Sequence, residues 1–184
     1  MLAYVFWHWP RAGVRGEAYE AVQRAFHAAL GAAPPPGFLG SRSAAVDGAP
    51  WAAGGGRAYE DWYLLDGSVA LDPLNEAAVS ASRQGPHDAA AAAAGGGTAG
   101  LYLLRAGTAQ APPRSAAWFD KPAGMSYAAL YALLSPLIEA ERGALWGRQM
   151  VLGPAPEFCL QTVREVELPG PIRGVMLDCR LVWP

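Results

Sequence analysis

Residues 2–30, LAYVFWHWPRAGVRGEAYEAVQRAFHAAL, change their period at Pro10, and the fold is read outward from that change. Leu2 to Trp9 is β-branched and aromatic and is stopped by Pro10, so it reads as a strand. Beyond it Val14, Ala18, Val22, Phe26 and Leu30 recur every four residues, with Glu20, Gln23, Arg24 and His27 opposite. That spacing predicts an amphipathic helix whose polar side, His27 included, faces solvent. Pro34-Pro35-Pro36-Gly37 ends it. Phe38 to Arg42 reads as a second strand and Tyr59 to Leu65 as a third, joined by a Gly/Ala loop through Gly54-Gly55-Gly56.

Asp72-Pro73 opens an alanine-rich helix, with an acidic N-cap and proline in the first helical position. Gly85-Pro86 divides it, and a second short helix runs on to Gly95-Gly96-Gly97, read as a flexible connection. Leu101 to Arg105 is the next strand, which completes the order β-α-β-β-α-β. Residues 109–114 read as a linker between a first lobe, 1–108, and a second, 115–184. In the second lobe, Ala116 to Asp120 reads as a strand. Tyr127, Leu130, Tyr131, Leu134, Leu137 and Ile138 mark a helix that Gly143 ends. Leu145 to Leu152 and Glu157 to Val163 form a hairpin, and Gly174 to Trp183 a closing strand. The second lobe thus repeats β-α-β-β with its second helix reduced.

The 184 residues are 52% hydrophobic and 16% charged with a formal net charge of −2, which describes a globular α+β chain. Nucleic acid is excluded as the main partner, since a phosphate footprint needs clustered cations. The apolar first residues lack a basic lead-in and break at Pro10, and no apolar run approaches membrane-spanning length, so a cytoplasmic protein without a membrane partner is expected. Cys159 and Cys179 form no CxxC and read as reduced core thiols. Three scattered histidines and these two cysteines make no zinc spacing, and no dinucleotide or phosphate-loop motif is present. Neither metal nor cofactor is called for.

This element order, with its aromatic-rich strands, resembles the dimeric α/β-barrel superfamily over nearly the whole chain. The resemblance implies two ferredoxin-like lobes, βαββαβ and a reduced βαββ-β, fused in one chain and packed sheet to sheet as a pseudo-dimeric barrel. It also implies a cavity between the sheets that holds a small organic molecule. Members of that superfamily include cofactor-free monooxygenases, haem enzymes and small lyases, so the chemistry stays open.

Strand alternation selects the candidate residues. Tyr4, Phe6 and His8 share one face of the first strand, and Tyr59, Asp61 and Tyr63 one face of the third. His8 is a candidate base. Either Glu60 or Asp61 must point among large apolar groups, where a carboxyl is expected to have a raised pKa and act as base or acid, or to pair with Arg42 or Arg105. Arg148, between Trp146 and Met150, needs an anion, either Asp120 or a substrate carboxylate. His87, at a helix start, is a candidate pocket residue.

The expected function is binding of a small aromatic or apolar organic acid, with enzymatic turnover left open. His8, Asp61 and Arg148 are the catalytic candidates, and Arg42, Tyr63, His87, Trp118, Asp120 and Trp146 the binding candidates. Two alternatives stand beside it. One is a non-catalytic interaction protein whose aromatic strands form core and a homodimer interface. The other is a haem protein with His87 or His8 as axial ligand.

Overall fold

A computed structural model describes residues 1–53, 56–109 and 111–184. The strand read at the start is β1 (Leu2–Pro10), and the helix after it is α1 (Gly16–Ala32). β2 (Phe38–Val46) is longer than expected, and β3 (Ala58–Leu65) follows. The divided helix is α2 (Leu71–Ala78) and α3 (Gln84–Ala93). β4 (Ala94–Gly107) then runs directly into the other half of the chain: β5 (Ser115–Phe119), α4 (Tyr127–Glu141), β6 (Ala144–Arg148), β7 (Phe158–Thr162), β8 (Gly174–Asp178) and β9 (Arg180–Trp183). Gln110, in the expected linker, and Gly54 and Gly55, in the glycine loop, lie outside the described residues.

All nine strands belong to one antiparallel sheet, ordered β8-β5-β7-β6-β4-β1-β3-β2-β9. β4 joins the halves, because its first ten residues pair with β1 and its last six with β6. The closing stretch splits at Cys179. β8 pairs with β5 at one edge of the sheet and β9 with β2 at the other, so one covalent run joins both edges and the sheet curls into a near-barrel. β9 covers Ser43–Ala45 of β2, which shortens the edge open to unwanted strand pairing.

Gly95-Gly96-Gly97 is not a linker; it lies at the start of β4, where Gly96 and Gly97 pair with Trp9 and His8 of β1 and Gly95 falls at an irregularity before the Ala94–Pro10 pair. A Cβ at Gly96 would collide with the indole of Trp9, and one at Gly97 with the ring of Phe6. The glycines let the aromatic rings of β1 lie flat across β4. Gly107 is under a tighter constraint, with φ +76° and the Gly143 carbonyl oxygen where a Cβ would stand. Gly107→Ala is expected to cost about 3 kcal/mol in urea unfolding, through left-handed strain and backbone collision together. A loss below about 1 kcal/mol would show that β4 and β6 can separate here.

The two faces of the sheet have different fates. Ala3, Val5 and Trp7 of β1, Trp62 and Leu64 of β3, Trp118 of β5 and Trp146 of β6 point into the barrel. The space between the halves is therefore filled: Trp7 lies 5.4 Å from Trp118, Trp62 5.2 Å from Trp146, and Tyr102 5.3 Å from Trp118, centroid to centroid. The ligand cavity expected between the sheets is replaced by packed indoles. Cys159 and Cys179 are free and buried against this core, and burial pushes both thiols up. The outer face is covered by α1–α3 on the first half and by α4 on the second. Among the described residues, no helix is long and apolar enough to cross a membrane.

Candidate active site

The cavity is on the outer face. A pocket of about 700 Å³ opens between β1, β3 and β4 on one side and α1–α3 on the other, within the size range of small-molecule sites. Alternation puts Tyr4, Phe6 and His8 of β1 on its floor with Asp61 and Tyr63 of β3, and α1 adds Tyr19, Gln23 and Phe26. Phe6 is paired across the ladder with Asp61, so His8, two residues on, is its diagonal neighbour.

Asp61, 1% exposed, is the centre of a buried cluster. Its Oδ2 accepts the Tyr63 hydroxyl at 3.0 Å. His8 Nε2 at 3.1 Å and His27 Nε2 at 3.2 Å approach the same oxygen as ion-pair contacts rather than as aligned hydrogen bonds. The far nitrogens are held as well. His8 Nδ1 lies 2.7 Å from the Tyr19 hydroxyl, and His27 Nδ1 2.7 Å from Ser41 Oγ. In the tautomer that carries its proton on Nε2, each ring accepts at Nδ1, from Tyr19 or Ser41, and faces Asp61 with Nε2–H. Asp61 Oδ1 has no hydrogen-bond partner among the described residues.

Burial by itself raises the Asp61 carboxyl. The opposite charges of His8 and His27 and their hydrogen-bonding capacity outweigh it and hold the group well below the usual carboxylate range. Burial, then the Asp61 charge, pushes the Tyr19 and Tyr63 hydroxyls up, so both persist as neutral phenols. Glu60, the neighbouring carboxyl, faces the barrel interior, where Trp7 and Trp62 donate their indole N–H groups to it. Burial there raises it to about 7.

His8, Asp61, Tyr63 and His87 thus share one pocket, His87 from α3 at its rim with one ring nitrogen 3.3 Å from Asp88. The other expected site residues are elsewhere. Arg148 does not converge with His8 and Asp61 and meets no anion; it donates to the carbonyls of Gly153 and Ala155 in the β6–β7 loop. Asp120 accepts the Glu157 amide at 2.8 Å and makes no pair with Arg148. Arg42 is on β2, but it donates to the Ala109 and Ala111 carbonyls and not to a carboxylate. Arg105 is exposed. Trp118 and Trp146 are wholly buried in the barrel, not walls of the pocket. Sequence reading missed Tyr19 and His27, and His27 is fully buried where a solvent position was expected.

Of the two axial haem ligands expected in the alternative reading, His87 lies at the pocket with Nδ1 against Asp88, and His8 lies deeper, between Tyr19 and Asp61. Both nitrogens of His8 are engaged, and the pocket lining presents no Arg or Lys to receive haem propionates. Among the described residues, no group of three His, Cys, Asp or Glu side chains is placed to hold a metal ion.

Neither a protein-family model nor a curated protein matches the chain. Solved structures do. A protein of Fusobacterium nucleatum subsp. nucleatum ATCC 25586, provisionally named a monooxygenase, superposes with a TM-score of 0.63 at 8% identity, covering 98% of this chain and 92% of its own. A protein provisionally named a chlorite dismutase superposes with a TM-score of 0.51 at 9% identity, covering 98% and 94%. At such identities the likeness concerns the fold. With the nine-stranded antiparallel near-barrel and its helix layers, it gives this chain a ferredoxin-like α+β barrel fold.

Proposed function

We propose that the pocket between the sheet and α1–α3 binds a small aromatic molecule and that Tyr19, His8 and Asp61 move a proton on it. The supporting observation is the chain of contacts Tyr19 hydroxyl to His8 Nδ1, 2.7 Å, and His8 Nε2 to Asp61, 3.1 Å, at an aromatic-walled cavity. The arrangement follows the logic of a hydroxyl–imidazole–carboxylate triad. A substrate proton passes to the Tyr19 oxygen as the Tyr19 proton passes to His8 Nδ1. The imidazolium so formed is stabilised by Asp61, and Tyr19 never accumulates as a phenolate, which agrees with its raised pKa. The reverse transfer returns the proton to product. A carboxylic acid ligand, expected from Arg148, finds neither that residue nor any other Arg or Lys among the lining residues, which favours a ligand without a carboxylate.

The test has two parts. A thermal-shift screen against aromatic ligands is expected to give saturable stabilisation that His8→Ala removes and Arg148→Ala leaves intact. Solvent-deuterium exchange into an enolisable aryl ketone, followed by NMR, is expected to fall at least about 100-fold in Tyr19→Phe while binding persists. Exchange that proceeds equally in Tyr19→Phe would remove the relay from the mechanism. A screen without any saturable ligand would remove the pocket.

A further inference from the structure

The geometry points to an aromatic ammonium ion as the ligand of this pocket; this rests on the binding reading above and adds its charge. Three independent features converge. First, the lining carries the carboxylates of Asp61 and Asp72 and no Arg or Lys. Secondly, Asp61 lines the pocket and its buried Oδ1 has no hydrogen-bond partner among the described residues, which leaves a carboxylate oxygen with an unmet demand for an N–H donor. Thirdly, four rings surround the same space: Tyr4 is 6.4 Å from Phe6 and 5.9 Å from Tyr63, and Phe26 is 6.5 Å from Tyr63. Aromatic faces attract a cation, and a nearby carboxylate in a site poor in water adds to it. Asp61, held ionised, is a fixed negative charge of the floor. A cation compensates it, a neutral alcohol does not, and an anion is repelled. Asp72, in the first turn of α2, adds negative potential at the mouth.

Isothermal titration at pH 8 with tryptamine, tryptophol and indole-3-propionate separates the possibilities, because the three share a ring system and differ in charge. Tryptamine is expected to bind at least about tenfold more tightly than tryptophol, and indole-3-propionate more weakly than both. Asp61→Asn is expected to bring tryptamine to within about threefold of tryptophol measured on the same variant. Asp72→Asn, an exposed change that does not burden folding, is expected to weaken tryptamine about two- to threefold and tryptophol not at all. Equal affinities for amine and alcohol, or tighter binding of the acid, overturn the ammonium assignment and leave the pocket standing. Absence of binding by all three overturns the pocket reading itself.

Discussion

Asp61→Ala is expected to destabilise the protein by about 3–5 kcal/mol, the cost of breaking a buried charged cluster from one side. The substitution leaves the imidazoles of His8 and His27, exposed 1% and 0%, without their counter-charge, and the Tyr63 hydroxyl without its acceptor. The same cluster sets the acid limit of the fold. The Asp61 carboxyl is held below its ordinary value of 3.8, so in the pH range beneath that value the unfolded chain binds the extra proton and the native state does not. The stabilisation is complete above about pH 4 and is lost as the pH falls further. Urea titrations between pH 2 and 6 are expected to show a declining midpoint in the wild-type protein. Asp61→Asn has no carboxyl to titrate and should start lower and decline less. A variant as stable as the parent at pH 6 would mean that the cluster adds nothing to the native state.

Much of this arrangement was legible in the sequence, and the failures have physical causes. Strand alternation placed His8 on one face of β1 and Asp61 on one face of β3, and the ladder makes them diagonal neighbours on that face. Glu60 and Asp61 are both buried, one on each side of the sheet, as two adjacent strand residues must be. Helix α1 was read too rigidly. A strict four-residue step turns about 400° and so rotates the stripe about 40° at each repeat. The face that is buried runs Tyr19, Gln23, Phe26, His27 and Leu30, the true helical period, with Ala18 left exposed. Two polar residues on the inward side disguised it, and they stand where the pocket cluster needs them. The glycine run was misread because Gly is depleted in strands; only the aromatic rings crossing it from β1 explain its place in β4. Arg148 was assigned to the wrong partner: it is the last residue of β6, Met150 falls in the turn beyond it, and its acceptors are loop carbonyls whose position no strand pattern encodes.

Between pH 5 and 8 the dominant proton linkage is expected at Glu60, in the opposite direction from that of Asp61. Its carboxyl is buried in the barrel interior, with Trp7 and Trp62 as donors, and burial raises it from 4.5 to about 7. In that window the native state holds a proton that the unfolded chain has released, so stability falls as the pH rises and levels off above about 7. The full loss is about 3 kcal/mol, the free energy that corresponds to moving the carboxyl from 4.5 to about 7. Glu60→Gln removes the titration. The amide offers one acceptor oxygen to two indole donors, so one hydrogen bond is sacrificed and the variant is expected to be less stable than the parent at pH 5 by about 1–3 kcal/mol. The decisive quantity is the difference between the two proteins as a function of pH. Asp61 is ionised throughout this range, and the histidines are common to both proteins, so the difference isolates Glu60. It is expected to shrink by about 3 kcal/mol from pH 5 to pH 8, enough to bring Glu60→Gln level with the parent or above it in alkali. Parallel curves would show that Glu60 is ionised in the barrel at every pH tested, with its two indole bonds strong enough to overcome the burial of the charge.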